Sequence, residues 1–261
     1  MMGALWVSKT GLNAQDTALR TISNNLANVS TVGFKRDRAM FNDLLYQVQR
    51  QPGGNSSQNT QLPSGVQLGV GVRVAGTAKE FTEGTLQVTN GALDVAIDGR
   101  GFFQVQLPDG GTAYTRNGQF QRNVDGQIVT NDGFPLVPAI TIPENASTVT
   151  IGKDGTVTVG VEGETAVQEV GALQLANFVN PEGLQAIGDN LFRETSSSGA
   201  PQAGAPGQNG VGQLVQKALE TSNVSVVEEL VNMITTQRAY EMNSKVVSTA
   251  DQMLQYVTQS L

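Results

Sequence analysis

The sequence predicts an α+β fold with three parts: N- and C-terminal helices forming a coiled-coil-like stem, a central antiparallel all-β domain, and an extended linker or arm. The stem is predicted because apolar residues recur every seven positions near both ends of the chain, as in helices that pack along other helices. These residues are Leu5, Leu12, Leu19 and Leu26 near the start, and Val226, Met233, Tyr240, Val247, Leu254 and Leu261 near the end. Between the two repeats, alternating polarity and Asp–Gly turns predict β-structure. The predicted domains are 1–33 plus 222–261 (helical), 34–65 plus 195–221 (connecting region with the arm) and 66–194 (β-rich).

The first helix is predicted over residues 4–30, with apolar residues at i, i+3, i+4 and i+7 spacing on one stripe. Gln15 interrupts this stripe, and the asparagine-rich run 24–28 has poor helix propensity. Gly33 supplies a stop signal just beyond. The residues predicted to pack against neighbouring subunits are Leu5, Leu12, Leu19, Ile22, Leu26 and Val29.

The last helix is predicted to begin near Ser225, because Ser225 and Glu228 form a capping box just before an apolar run. No Pro or Gly interrupts residues 213–261, so the helix could exceed about 50 Å in length. Its predicted packing residues are Val226, Leu230, Met233, Tyr240, Val247, Leu254, Val257 and Leu261. An intramolecular helix pair and packing between subunits both account for the two stripes, since two helices alone leave half of their apolar surface exposed.

The segment between the first helix and the β-rich region is charged at first and then polar. Residues 47–65 contain Pro52, Gly53, Gly54 and Pro63 among amides and serines. Two interpretations stay open for this segment: a long loop or linker, and an extended hairpin arm.

The β-rich region is predicted from two local patterns. Alternating valines and leucines over residues 66–74 predict a half-buried strand. Asp–Gly pairs at 109–110, 125–126, 132–133 and 154–155 predict hairpin turns, so residues 66–193 are interpreted as an antiparallel β domain. The Gly-, Ser- and Pro-rich segment 195–213 predicts a loop or an extended return segment.

Composition excludes several classes of function. The chain of 261 residues contains no Cys and no His, which excludes disulfides, thiolate nucleophiles, Cys/His metal sites and the commonest general base. With 16 Lys+Arg against 23 Asp+Glu, the net charge is −7, and no basic stripe indicates nucleic-acid binding. The N-terminus lacks the pattern of a Sec signal peptide, because Ser8, Lys9 and Thr10 interrupt its apolar run.

Isolated motifs favour structural interpretations. Gly99-Arg-Gly101 and Gly69-Val-Gly71 are fragments of phosphate-binding patterns, and tight turns or bulges explain them better. Paired carboxylates or calcium ligands are conceivable among Asp94, Asp98, Asp109, Asp125 and Asp132, but an aspartate before glycine is typical of turns. The charged run 35–38 fits either an acidic partner or a salt-bridged stretch.

Three long blocks of sequence resemble the bacterial flagellar basal-body rod and hook family. The first runs from Asn24 to Arg36, with the sequence NNLANVSTVGFKR. The second comprises DVAIDGRGFF at 94–103 and YTRNGQF at 114–120. The third comprises ETSNV at 220–224, ELVNMI at 229–234 and QRAYE at 237–241. Within the family, the length of the chain and its polar segment are most similar to the distal-rod branch, with proximal rod and hook subunits as the alternatives.

The resemblance implies a structural subunit rather than an enzyme, with no catalytic residue, cofactor or metal. It implies self-assembly into a straight, hollow helical homopolymer in the basal body, between periplasm and outer membrane. Implied partners are proximal rod proteins, the hook protein, the peptidoglycan-ring and outer-membrane-ring bushing proteins, and the flagellar type III export apparatus. Gln51, Pro52, Leu62 and Pro63 are predicted to belong to an arm that stiffens the rod. A secreted peptidoglycan-acting or carbohydrate-binding β-protein is the hypothesis from a different class.

Overall fold

The computed structural model describes residues 2–51, 55–57, 60–61, 64–161, 167–208 and 210–259. The predicted site residues Pro52, Leu62, Pro63 and Leu261, and the side chain of Val257, lie outside this description. The chain divides into two compact units. The helical unit comprises Met1–Leu26, Asp37–Ala78 and Ser225–Leu261, and the β unit comprises Ala27–Arg36 and Lys79–Val224. The structure therefore groups residues 66–78 with the helices, whereas the sequence grouped them with the β-rich region.

Each end of the chain is helical, as predicted, and antiparallel strands fill most of the remainder, so the α+β class is confirmed. Helix α1 spans Met2–Ala27 and helix α2 spans Val226–Gln259. The predicted start of α2 is correct, and its 34 residues correspond to about 51 Å. The predicted end of the first helix is wrong, because α1 stops at Ala27 and Val29 lies in the following turn. There the Thr31 amide donates to the Asn28 carbonyl at 3.1 Å, so a backbone turn bond between residues three apart replaces the helical pattern of residues four apart.

The helical unit also contains a long β-hairpin, which we call the hairpin arm and define as the described residues between 37 and 79, although its last residue, Lys79, is grouped with the β unit. Its six strands are β1 (Asp37–Asp43), β2 (Tyr46–Arg50), β3 (Asn55–Ser57), β4 (Thr60–Gln61), β5 (Val66–Gly69) and β6 (Val72–Lys79). They pair in nested order, β1 with β6, β2 with β5 and β3 with β4. The described residues of the segment 47–65 include paired strands. For them the interpretation as a loop or linker is therefore wrong and the interpretation as a hairpin is correct.

The single half-buried strand predicted over residues 66–74 is also wrong. The structure breaks it into β5 and β6 at Val70–Gly71, and every residue of β5 is exposed. Gly71 has a φ of +121° and accepts a hydrogen bond from the Leu44 amide at 2.9 Å. A Cβ at this position would collide with the Thr10 side chain. The alternation of apolar and polar residues identified the strands but did not identify the break at Val70–Gly71. That break depends on how closely α1 approaches the backbone at Gly71.

Fifteen further strands lie among the described residues of the β unit. They are β7 (Leu86–Val88), β8 (Val95–Asp98), β9 (Phe102–Gln106), β10 (Thr112–Thr115), β11 (Phe120–Arg122), β12 (Ile128–Thr130), β13 (Ala146–Ile151), β14 (Thr156–Val161), β15 (Val167–Ala172), β16 (Leu175–Asn177), β17 (Gln185–Gly188), β18 (Leu191–Arg193), β19 (Gln202–Gly204), β20 (Gln213–Gln216) and β21 (Ala218–Glu220). The largest sheet has six strands in the order β17-β18-β10-β9-β16-β19. A three-stranded sheet, β13-β14-β15, and the pairs β11–β12, β8–β20 and β7–β21 complete the unit.

Turn chemistry organises this unit as predicted. The Asp–Gly pairs at 109–110, 125–126 and 154–155 connect β9 to β10, β11 to β12 and β13 to β14, each an antiparallel pair. The predicted return segment is extended in part, because β19 joins the large sheet and β20 pairs with β8. Inward residues of several sheets share one apolar core, which includes Val95, Phe103, Val105, Val157, Val159, Leu175 and Leu214.

A second, aromatic cluster in the β unit contains Phe102, Tyr114, Phe178 and Phe192. The rings of Tyr114 and Phe178 meet edge to face with centroids 4.8 Å apart. Burial, with a smaller contribution from Glu194, raises the pKa of Tyr114 to about 12.

This pKa shift predicts a loss of stability at alkaline pH. The unfolded chain releases the Tyr114 proton near pH 10, whereas the folded chain holds it until about 12. Stability from the protonated phenol should therefore be complete below pH 10 and should fall as the pH rises toward 12. Denaturant unfolding at increasing pH, with tyrosinate absorbance as a second signal, measures this dependence. Tyr114→Phe should show a flatter profile in this window, and an unchanged profile in the variant would contradict the assignment.

Candidate functional site

Two kinds of candidate site were predicted, helix surfaces and an arm, and the structure adds a buried charged centre. Among the residues of the helical unit, the most buried positions of α1 are Ser8, Ala14, Ile22 and Asn25 rather than the leucines of the seven-residue repeat. Leu5, Leu12, Leu19 and Leu26 are only half-buried. The leucines therefore flank the buried stripe instead of forming it.

Small and polar residues bring the two helices together within the helical unit. A Cβ on Gly11 would lie 3.0 Å from the Asn243 amide nitrogen, so this glycine permits a close approach. Nearer the other end of α1, Asn25 Nδ2 donates to Glu229 Oε1 at 3.4 Å. Asn25 also donates to the Asp37 carbonyl at 2.8 Å and accepts from the Asp37 amide at 2.8 Å. The buried Asn25 side chain therefore holds the end of α1, the start of α2 and the start of the arm together.

Helix α2 keeps most of its large apolar side chains exposed. Of its predicted packing residues, Val226, Leu230, Tyr240 and Leu254 are exposed, while Met233 and Val247 are half-buried. Further exposed apolar residues on the same helix are Val227, Val231, Ile234, Met242, Val246, Met253 and Tyr256. Exposed apolar surface of this kind is typical of surfaces that bind another protein.

The hairpin arm is also apolar and exposed. Leu45 is 90% exposed, and Tyr46, Val48 and Leu68 are exposed beside it, as is the predicted arm residue Gln51. Between the arm and the helices of the same unit lies a groove of about 790 Å³, lined among others by Trp6, Val7, Leu68, Val70 and Val246. The arm therefore offers an apolar surface adjoining the exposed helix faces.

A buried ionic centre lies in the β unit, and its three members come from the three sequence blocks described above. Lys35 Nζ lies 2.6 Å from Glu220 Oε1, and Arg116 Nη1 lies 3.3 Å from Glu220 Oε2. The three side chains are 0%, 3% and 1% exposed for Lys35, Arg116 and Glu220. We call this set the ionic centre. It joins residues that are 185 positions apart in the chain.

Backbone groups complete the ionic centre. Lys35 Nζ also donates to the Thr82 carbonyl at 2.6 Å, and Glu220 Oε1 accepts from the Gly84 amide at 2.9 Å. Arg116 donates to the Ile97 carbonyl at 3.4 Å and to the Gly99 carbonyl at 2.7 Å. The centre therefore ties the segment after α1, the β7–β9 region and the end of β21 together. These hydrogen bonds supply the partners that buried charged groups need in order to offset the cost of leaving water.

Burial dominates the electrostatics of the ionic centre. It lowers the pKa of Lys35 and of Arg116, because removal from water disfavours the charged forms, while Glu220 partly offsets the shift for both. The neighbouring Arg36 Nε lies 2.7 Å from Glu80 Oε2. The charged run 35–38 is thus salt-bridged in its first two residues, which was one of the two interpretations of the sequence.

Sequence reasoning missed Lys35, Arg116 and Glu220 as a set. The available signal was one ionisable residue within an apolar or turn-forming context in each block, namely Gly33-Phe-Lys35, Tyr114-Thr-Arg116 and Ala218-Leu-Glu220. Nothing local indicates that the three meet, because their convergence depends on the pairing of β7 with β21 and on the path of residues 27–36.

The other motifs serve turns or bonds within the fold. Asp109 accepts from the Gly111 amide at 2.9 Å and pairs with Arg193 at 2.9 Å, and Asp154 accepts from the Thr156 amide at 3.2 Å. Asp94 accepts from the Thr89 hydroxyl at 2.6 Å. Within the described ranges, no group of three or more acidic side chains could hold a metal ion. Among the described helices, none combines the length and apolar composition needed to cross a bilayer.

Known protein families match the three blocks in the same order. The family described as flagella basal body rod protein matches residues 5–35, the flagellar hook protein FlgE/F/G D1 domain matches 96–159, and the flagellar basal body rod FlgEFG protein C-terminal family matches 215–260. Each of these matches contains one member of the ionic centre. The class of protein is thus that of flagellar rod and hook components.

Full-length relatives narrow this class. The chain is 57% identical to the flagellar basal-body rod protein FlgG of Buchnera aphidicola from Schizaphis graminum, over 99% of this chain and 100% of the relative. It is 52% identical to FlgG of Caulobacter vibrioides, over 99% of both chains. The basal-body rod protein FlgF of the same bacterium is 35% identical over 95% of this chain and 93% of its own length. The chain therefore belongs to the flagellar basal-body rod protein family. It is more similar to the FlgG proteins than to FlgF of Caulobacter vibrioides.

Proposed function

We propose that the chain is the subunit of the distal flagellar rod and that copies of it assemble helically into a straight, hollow drive shaft. The observation that carries this proposal is the apolar surface left uncovered on α2 and on the hairpin arm of the folded chain. The greater similarity to FlgG than to FlgF within one organism supports the distal position over the proximal one. The shaft transmits torque from the motor to the hook.

In this proposal the terminal helices pack with those of neighbouring copies as a coiled-coil-like inner layer around the channel. The small residues between α1 and α2 let the two helices approach within one chain, while the apolar side chains of α2 remain available to other chains. The residues proposed for subunit packing are the predicted ones, including the half-buried leucines of α1 and Leu230, Tyr240 and Leu254 of α2. Because different surfaces of two copies meet, the contacts are heterologous and extend into an open filament.

The hairpin arm is proposed to contact axially stacked copies at a second position and so to keep the shaft straight. Its exposed Leu45, Tyr46, Val48 and Leu68 supply apolar contact, and its strands supply a stiff, hydrogen-bonded support. A shaft whose subunits touch at two separate positions resists the sliding that bending requires. Proximal rod proteins, the hook protein, the two ring bushings and the type III export apparatus are the proposed partners beyond the chain itself.

Charge substitution on α2 tests the proposed assembly. Leu230→Asp should abolish rod formation, because a carboxylate buried between subunits lacks a partner. Leu230 is already exposed in the folded chain, so the free subunit should keep its stability within about 0.5 kcal/mol.

Asn232→Asp is the matched control, since it adds the same charge at an exposed position of the same helix that lies about 160° around the helix axis from Leu230. Rod length and number in electron micrographs, together with motility of cells carrying each variant, provide the measurement. Normal rods from Leu230→Asp would refute packing through this surface.

A further inference from the structure

The start of helix α2 carries an exposed apolar face on the side turned away from α1. Glu229 and Asn243 mark the side that faces α1, because Glu229 accepts a hydrogen bond from Asn25 and Asn243 lies beside Gly11. Since an α-helix turns by about 100° per residue, Val231 lies about 160° around the axis from Glu229. The exposed apolar residues around this direction, which we call the first stripe, are Val226, Val227, Leu230, Val231 and Ile234.

Beyond Ile234 the same face of α2 becomes polar. The residues that continue it toward the end of the helix are exposed, and they are Arg238, Glu241, Lys245, Ser248 and Gln252. The first stripe itself extends over about 12 Å, at about 1.5 Å per residue. This face therefore fits a partner that covers the start of α2 and leaves the rest of the face to water.

The second half of α2 carries another apolar stripe on a different side of the helix. Its residues, which we call the second stripe, are Met242, Val246, Thr249, Met253 and Tyr256, all exposed. The Thr249 hydroxyl donates to the Lys245 carbonyl at 2.8 Å, so its donor is satisfied within the helix. These residues alternate between spacings of four and three, which is the spacing of a helix that packs along another helix. Val227, Val231 and Ile234 of the first stripe have the same spacing.

The direction of copies in a filament determines which stripes can meet. A contact of the first stripe with itself is isologous and needs a two-fold axis, which closes the pair instead of extending it. Copies that all point in the same direction therefore bring the first stripe against a different surface. The second stripe matches it in apolar character and in helical spacing. The hairpin arm is also apolar, but its strands alternate with a period of two and do not form a helical seam.

We infer that the first stripe of one copy packs along the second stripe of the next copy, as in a short parallel coiled coil. The inference rests on the proposed function and adds to it which faces of α2 meet. The central residues of the two stripes, Leu230 and Thr249, are separated by about 29 Å of helix. Successive copies are therefore displaced by about this distance along α2, or by one heptad more or less. The same contact repeats at each step, so the assembly stays open at its ends.

Disulfide trapping in assembled rods tests this pairing, because the chain contains no Cys and any engineered pair acts alone. Chains with Val231→Cys and Met253→Cys, or with Val231→Cys and Val246→Cys one heptad earlier, combine one position from each stripe. On oxidation, at least one of these pairs should give a ladder of covalent multimers, since each copy links to the next. Each single variant should remain monomeric on denaturing gels.

Val231→Cys with Gln252→Cys is the matched control pair. Gln252 is exposed and adjacent to Met253 in the chain, but it lies about 100° around the helix axis from it and outside the second stripe. The control pair should therefore give no ladder. Normal rods without a ladder from either test pair, or an equally strong ladder from the control pair, would overturn the pairing of the stripes and leave the proposed function intact.

Two further results keep the test decisive. If a double cysteine chain does not assemble, equal mixtures of Val231→Cys chains with Met253→Cys or Val246→Cys chains replace it, and cross-linked dimers replace the ladder. Rods from both mixtures that contain no cross-linked dimers would also overturn the inference. Failure of the unsubstituted chain to form rods would instead refute the proposed function.

Discussion

Replacing Glu220 by glutamine is expected to destabilise the β unit by about 3–5 kcal/mol, the cost typical of breaking a buried ion pair. Glu220 is the only carboxylate described in the ionic centre, and Lys35 and Arg116 both depend on it. Its loss would leave two buried cations without a counter-charge. Denaturant unfolding of the soluble subunit, with the linear extrapolation, measures this change.

Two further variants separate charge balance from the loss of a contact. Lys35→Met leaves Arg116 and Glu220 as a balanced pair, so its cost should be smaller than that of Glu220→Gln. Arg193→Gln breaks a pair of similar length, 2.9 Å, whose side chains are 45% and 57% exposed, and should cost less than about 1 kcal/mol. If Lys35→Met destabilised the protein as much as Glu220→Gln, the excess positive charge of the centre would not explain its energetics.

Deleting Gln51–Gln61 is expected to leave subunits that assemble into curved or flexible filaments instead of straight rods. The deletion removes β3 and β4 and retains the β2–β5 ladder, which residues 62–65 can still connect, since hairpin loops of about two to five residues are common. Contacts made by the end of the arm would be lost, and the helical packing would remain. Curvature and persistence length of the filaments in electron micrographs measure the effect.

A point-substitution version keeps the length of the arm. Leu45→Ser with Val48→Ser removes exposed apolar side chains from the arm and should also increase filament curvature. Val88→Ser with Val167→Ser removes similarly exposed side chains from the β unit and should leave the rods straight. Deletion filaments as straight and stiff as the parent rods would show that the end of the arm has no stiffening role.

Local patterns accounted for much of the fold. The capping box at Ser225 correctly placed the start of α2, and three Asp–Gly pairs correctly placed hairpin turns. These features are predictable because helix caps and tight turns depend on residues two to four positions apart. The same locality explains two errors. The apolar spacing extended the first helix to residue 30, although it ends at Ala27 and a turn follows. The alternation of apolar and polar residues over 66–74 did not show the break at Gly71.

The sequence by itself determined that the chain has helical ends, an antiparallel β region, no Cys or His chemistry, and three blocks typical of flagellar rod and hook proteins. Tertiary structure alone decided which residues meet. The pairing of β2 with β5 turned an apparent linker into an arm, and Lys35, Arg116 and Glu220 converge from distant parts of the chain. The most buried residues of α1 are Ser8, Ala14, Ile22 and Asn25 rather than the leucines of the seven-residue repeat. The physical reason is that periodicity and turn propensity are short-range properties. A buried ion pair between residues 185 positions apart is set by the path of the whole chain, which no local pattern encodes.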